Sequence, residues 1–76
     1  MNAIIKKYFE DTVNEVKKID KLNKQKALYE EMGKQLSPEW RYKLEDAFAE
    51  LSHRLQVIED AGLIEDYITY RMEEDV

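Results

Sequence analysis

Seventy-six residues with no cysteine and a single histidine, His53, exclude a disulfide framework and leave a structural zinc site without its usual nitrogen and sulfur ligands. A chain this short buries only about 60% of the surface that its unfolded form exposes, so its core is small and self-association is the remaining way to reinforce it. The formal charge of −5 is divided unevenly: residues 1–36 carry eight lysines against six acidic residues, net +2, and residues 37–76 carry four basic against eleven acidic residues, net −7.

Two glycines, one proline and no internal repeat predict helices joined by short turns, in one domain over residues 1–76. No run approaches the ~18–20 apolar residues of a bilayer span, and Met1 to Lys7 lacks the apolar block of a signal peptide, so the expected compartment is the cytoplasm.

In the first segment Ile5, Phe9, Thr12, Val16 and Ile19 recur at helical spacing. Leu22, Tyr29, Met32 and Leu36 continue this stripe at a different angle around the axis. A break near Ile19-Asp20-Lys21 reconciles the two, with Asp20 capping a new helix that runs to about Met32 and ends at Gly33; one long curved helix is the alternative.

The next start signal is Ser37-Pro38-Glu39. The Ser37 side chain is expected to accept a hydrogen bond from a first-turn amide, Pro38 suits the first helical position, and Glu39 favours the positive end of the helix dipole. Trp40, Leu44, Ala47, Phe48, Leu51, Leu55 and Ile58 then mark one side of a long helix as core, and Ala61-Gly62 ends it. From Leu63 to Met72 the residues Ile64, Tyr67, Ile68 and Met72 fit a helix, whereas Ile64, Ile68, Tyr70 and Met72 fit strand alternation. A lone strand would have no partner, so a short terminal helix is expected.

No residue set here carries an obvious reaction. His53 falls on the side of its helix away from Leu44, Leu51 and Leu55, with no positioned second group for acid–base work. Adjacent carboxylates such as Glu45-Asp46 and Glu59-Asp60 point about 100° apart on a helix and do not converge on a cation. The chain is therefore expected to be no enzyme, without cofactor, metal or small-molecule substrate. The back of the central helix is more informative. Tyr42, Ala49, His53 and Val57 form a second apolar strip flanked by Asp46 and Asp60, a pattern expected of a helix touched on both sides, by another subunit or by a functional partner. Carboxylates along such helices could also imitate a nucleic-acid backbone before a basic protein, while direct nucleic-acid binding by this half is disfavoured. The candidate partner-binding residues are Glu45, Asp46, Glu50, His53, Val57, Glu59 and Asp60.

Two resemblances point in different directions. The order Phe9, Ile19-Asp20-Lys21-Leu22, Leu36-Ser37, Leu44 and His53-Arg54-Leu55 resembles the Hha/YmoA family of small four-helix modulators that bind the nucleoid protein H-NS, although Ser52 stands where that family has an acidic residue. This resemblance implies a nucleic-acid-associated protein partner. Leu51 to Ile64, followed by Tyr67-Ile68-Thr69-Tyr70-Arg71, looks like the recognition helix and wing of ArsR-type winged-helix repressors, and implies a DNA-binding regulator instead. The reading from the residues is an all-α bundle of three to four helices, expected to dimerise, that binds and modulates or inhibits a basic protein partner. A small winged-helix transcriptional regulator is the alternative.

Overall fold

The computed structural model describes residues 2–74. It contains three helices, α1 (Ala3–Glu31), α2 (Pro38–Asp60) and α3 (Ile64–Glu74), and no strand among the described residues. The Asn2 side chain accepts a hydrogen bond from the Ile4 N–H at 2.8 Å and starts α1. From there α1 runs 29 residues without interruption.

The break expected near Ile19-Asp20-Lys21 is therefore absent, the alternative of one long helix holds, and Asp20 is an exposed mid-helix residue rather than a cap. No glycine or proline in this segment opposes the helical ladder. The change of stripe angle has a different origin. Phe9 and Val13 in the first half of α1 are buried where both α2 and α3 meet it, and Thr12 beside them is wholly buried. Further along, α1 packs on α2 alone, and the buried positions shift to Ile19 and Leu22.

Both glycines close helices as the spacing predicts, each at positive φ, +67° for Gly33 and +74° for Gly62. At the end of α1, Lys34 N–H donates to the Tyr29 carbonyl and Gly33 N–H to that of Glu30, which is the paired bonding of a Schellman stop. Leu63 N–H to Ile58 and Gly62 N–H to Glu59 repeat it at the end of α2. Leu63 then folds back on the cluster that contains Ile58, the apolar contact that accompanies such stops. Helix α2 begins at Ser37-Pro38 as expected, but the Ser37 side chain makes no capping hydrogen bond; its carbonyl accepts the Trp40 N–H at 3.1 Å instead.

The three helices meet around Phe9, which is wholly buried and packs edge-on against Tyr67 at 5.4 Å and tilted against Tyr70 at 5.7 Å. Aromatic pairs of this kind add roughly 0.5–1.5 kcal/mol each beyond the area they bury. Val13 and Ile58 complete this cluster. Towards the other end, α1 and α2 are held by Ile19, Leu22 and Ala47, and by the Trp40 indole N–H, which donates to the Leu22 carbonyl at 2.9 Å.

The core differs from the sequence reading at several positions, one of them Val13, which is buried although it lies outside the predicted stripe. Phe48 is 48% exposed, because no element covers its side of α2. Helix α3 buries Tyr67 and Tyr70 and leaves Ile64, Ile68 and Met72 outside, so its helical form agrees with expectation and its orientation does not. Met32, at the foot of α1, is also exposed.

The result is long rather than round, with a radius of gyration of 15.0 Å where a compact chain of this length would have about 11 Å. Its accessible surface is 5987 Å², against about 4,900 Å² for an average monomer of its mass. Among the described residues no helix is long and apolar enough to cross a membrane.

Candidate interaction surfaces

Helix α2 presents its unpacked side through five of the seven residues singled out above. Asp46, Glu50, His53, Val57 and Asp60 alternate by steps of four and three, which aligns them along one line of the helix, and all five are exposed. Glu45 and Glu59 do not join them. They stand fourteen residues apart on a second line, with Ser52 between, closer to the side of Phe48 and Leu55.

The carboxylates on these lines are not equivalent. Glu50 accepts the Arg54 Nε–H at 3.1 Å, Glu45 pairs with Arg41 at 3.2 Å, and Asp60 accepts the Gln56 amide at 2.9 Å. The two exposed ion pairs, Arg54–Glu50 and Arg41–Glu45, are worth about 0–1 kcal/mol each, but they do cancel field. Asp46, Glu59 and Asp60 have no ion-pair partner among the described residues, the Gln56 amide on Asp60 being neutral, so no cation beside them offsets their field. His53 has no hydrogen-bonded partner there either, and no three His, Asp or Glu side chains among the described residues converge as a cation site.

Arg54, which the sequence reading left out, organises this side. Its guanidinium lies 4.9 Å over the Tyr8 ring of α1 while its Nε holds Glu50, so one side chain joins the two helices and orients a carboxylate of the outer line. Its Nη1 and the Glu15 Oε2 are buried without hydrogen-bond partners.

Next to Val57 the surface dips into an apolar notch of about 160 Å³ formed by Ile4 and Tyr8 of α1, Val57 and Ala61 of α2, and Leu63. Ile4 is 79% exposed at its rim. The notch escaped the sequence reading because it needs the N-terminus of α1 set against the C-terminus of α2. A trace of it was present, since Ile4 and Tyr8 form an apolar pair one residue out of step with Ile5 and Phe9. Tyr67-Ile68-Thr69-Tyr70-Arg71, the residues that look like a wing, are helical.

Burial pushes the Tyr67 phenol above its ordinary range, with the nearby Arg71 opposing the shift, and the hydroxyl has no hydrogen-bond partner. Tyr70 is raised too, by burial and by its hydrogen bond to Glu74 at 3.0 Å. Both groups are core rather than chemistry. The chain matches no protein-family model, no curated protein and no solved structure.

Proposed function

We propose that this chain is a non-enzymatic binding protein that docks a basic, nucleic-acid-associated protein on the outer line of α2 and thereby modulates or inhibits it. The observation that carries the reading is the alignment of Asp46, Glu50 and Asp60 with His53 and Val57 on one exposed side, beside an apolar notch. Carboxylates spaced along a helix offer a basic surface what it meets on a phosphate backbone, and an apolar notch adjoining them gives the partner a place to anchor a side chain. Glu59 contributes long-range field rather than contact, and Glu45 is offset by Arg41 beside it. The surplus of accessible surface supports a self-associated form, a dimer carrying two such lines.

The test is a comparison of the wild type with an Asp46→Asn, Glu50→Gln, Asp60→Asn triple variant as baits in extract of the source cell, followed by titration of the retained protein at 0.1 and 1 M salt. A basic protein that binds the wild type, and binds the variant or the high-salt sample at least about tenfold more weakly, supports the proposal. The second reading, a DNA-binding regulator, draws on the five lysines and one aspartate of residues 17–26. For that reading the same variant would bind duplex DNA more tightly than the wild type, because repulsion has been removed.

A further inference from the structure

The eleven residues of α3 cover about 17 Å of the roughly 44 Å length of α1. The last turn of α3 ends where Arg71 and Glu74 meet Lys17 and Asp20 across a shallow depression. Beyond that point the same side of the α1–α2 pair is bare. Along α1 it carries Lys21 and Lys24, which continue the side of Lys17 at steps of four and three. Along α2 it carries Phe48. Leu55 packs against the cluster containing Tyr67 and Tyr70, and Phe48, seven residues earlier, points the same way but lies two turns further along.

Helix α3 has a free edge of its own. Asp66 and Glu73 line depressions shared with Asn2, Ile5 and Lys6, so that edge faces α1. Ile64, Ile68 and Met72 lie on the opposite edge and are 37%, 52% and 66% exposed. The charges differ in sign. Residues 17–26 hold five lysines against Asp20, net +4, whereas Ile64–Glu74 holds four acidic residues against Arg71, net −3.

We infer that a second copy of this chain covers the bare half, with α3 of each copy lying on the uncovered end of the other's α1–α2 pair. Ile68 and Met72 then meet the partner copy's apolar surface at position 48, and the α3 carboxylates meet the lysine line. A twofold axis closes the arrangement, because the acidic covered end and the basic bare end adjoin on one side of the molecule and exchange under that rotation. The area is of the right order: the chain as a whole exposes about 1,100 Å² beyond the average for its mass, and a stable interface takes about 800 Å² from each partner. The inference rests on the self-association proposed above and names its surface. The outer line of α2 stays free, since Asp46 and Phe48 point about 200° apart around the helix.

Sedimentation velocity and light scattering on the full chain test this directly. The wild type should have twice the 9.1 kDa chain mass at micromolar concentration. Ile68→Glu should raise the dimer Kd at least about tenfold, the equivalent of about 1.4 kcal/mol, with unchanged helicity because the site is exposed. The sharper arm uses two charge-reversed chains, Lys21→Glu with Lys24→Glu and Glu65→Lys with Glu73→Lys. Each alone should be monomeric, and an equimolar mixture should recover the dimer, since reversed lysine lines and reversed α3 helices complement each other across a twofold axis. A wild type that is monomeric at about 100 μM, where a micromolar Kd would leave it almost wholly dimeric, would overturn both the self-association and its surface. A dimeric wild type in which Ile68→Glu and both reversals leave the mass unchanged would overturn the surface alone.

Discussion

The two ends of this molecule are built from the same pair of helices and held in different ways. At one end α3 adds a third layer, and Phe9 is enclosed by Tyr67, Tyr70, Val13 and Ile58. At the other end α1 and α2 have only each other, and a single tryptophan reaches across to the Leu22 carbonyl. The difference shows why α1 carries two apolar stripes. A helix packed on two neighbours buries positions between them, and the same helix packed on one neighbour buries positions facing that one. The angular shift near Ile19 records the loss of a neighbour.

The largest effect should come from the three-layer end. Phe9→Ala removes a fully buried ring that two tyrosines enclose, and should cost about 3–5 kcal/mol, most of the stability available to a chain of this size. Thermal melting by circular dichroism should show loss of the whole helical signal, not of α3 alone. A variant that melts within a few degrees of the parent would mean that the aromatic cluster is not what holds the three helices.

Trp40→Phe probes the two-layer end, where the indole hydrogen bond to Leu22 would be lost and the approach of Lys26 to the ring, 5.8 Å in the parent, weakened. The cost should be about 1–2 kcal/mol. Hydrogen exchange should accelerate for amides of residues 22–30 and 40–47 while those around Phe9 and Val13 keep their protection. Uniform acceleration along α1 would show that the two ends open together and that the division between them is only geometric.

Tyrosine ionisation separates the ends by pH. The folded pKa values of Tyr67 and Tyr70 are raised above 10.0, burial being the first cause for both. A raised folded pKa favours the neutral phenol, so that stability is fully present below pH 10 and is lost as pH rises through the folded values. Tyr67→Phe should flatten this alkaline decline and, because the hydroxyl has no hydrogen-bond partner, stabilise the chain by up to about 1 kcal/mol at neutral pH. Urea titrations at pH 8 and pH 11 provide the comparison. An alkaline decline that is as steep in the variant as in the parent would assign the effect to other groups.

Much of this architecture was legible in the residues, and the reasons differ by element. Gly33, Gly62 and Ser37-Pro38 act through local backbone geometry, so helix ends could be read without knowing the neighbours. The outer line of α2 was legible for the same reason, since spacing alone aligns Asp46, Glu50, His53, Val57 and Asp60. Burial was harder. Ile68 is more apolar than Tyr70, yet Tyr70 is inside, because a long aromatic ring reaches Phe9 while its hydroxyl still meets Glu74 at the edge. The notch beside Val57 depends on how α1 and α2 are aligned, which neither helix encodes by itself.

The smallest effects test where the stripes were misplaced. Asp20 looks like a cap for a second helix, and if it were one, Asp20→Ala would cost about 1 kcal/mol, as Asn2→Ala should at the true start of α1. Because Asp20 sits exposed within a continuous helix, its replacement by the best helix former should change stability by less than about 0.5 kcal/mol in either direction. Phe48→Ala belongs beside it. Phe48 lies on the helix side whose spacing predicts core, where truncation would cost about 3–5 kcal/mol, but at 48% exposure the ring has already kept much of its surface in water. Measured where the chain is monomeric, its cost should fall near 1 kcal/mol, well below that of Phe9→Ala. Both substitutions read the same quantity, the difference between a position that faces a neighbour and one that only shares a period with those that do. A large loss at Asp20 would restore the helix break, and a loss at Phe48 equal to that at Phe9 would require a covering element over the two-layer end within a single chain.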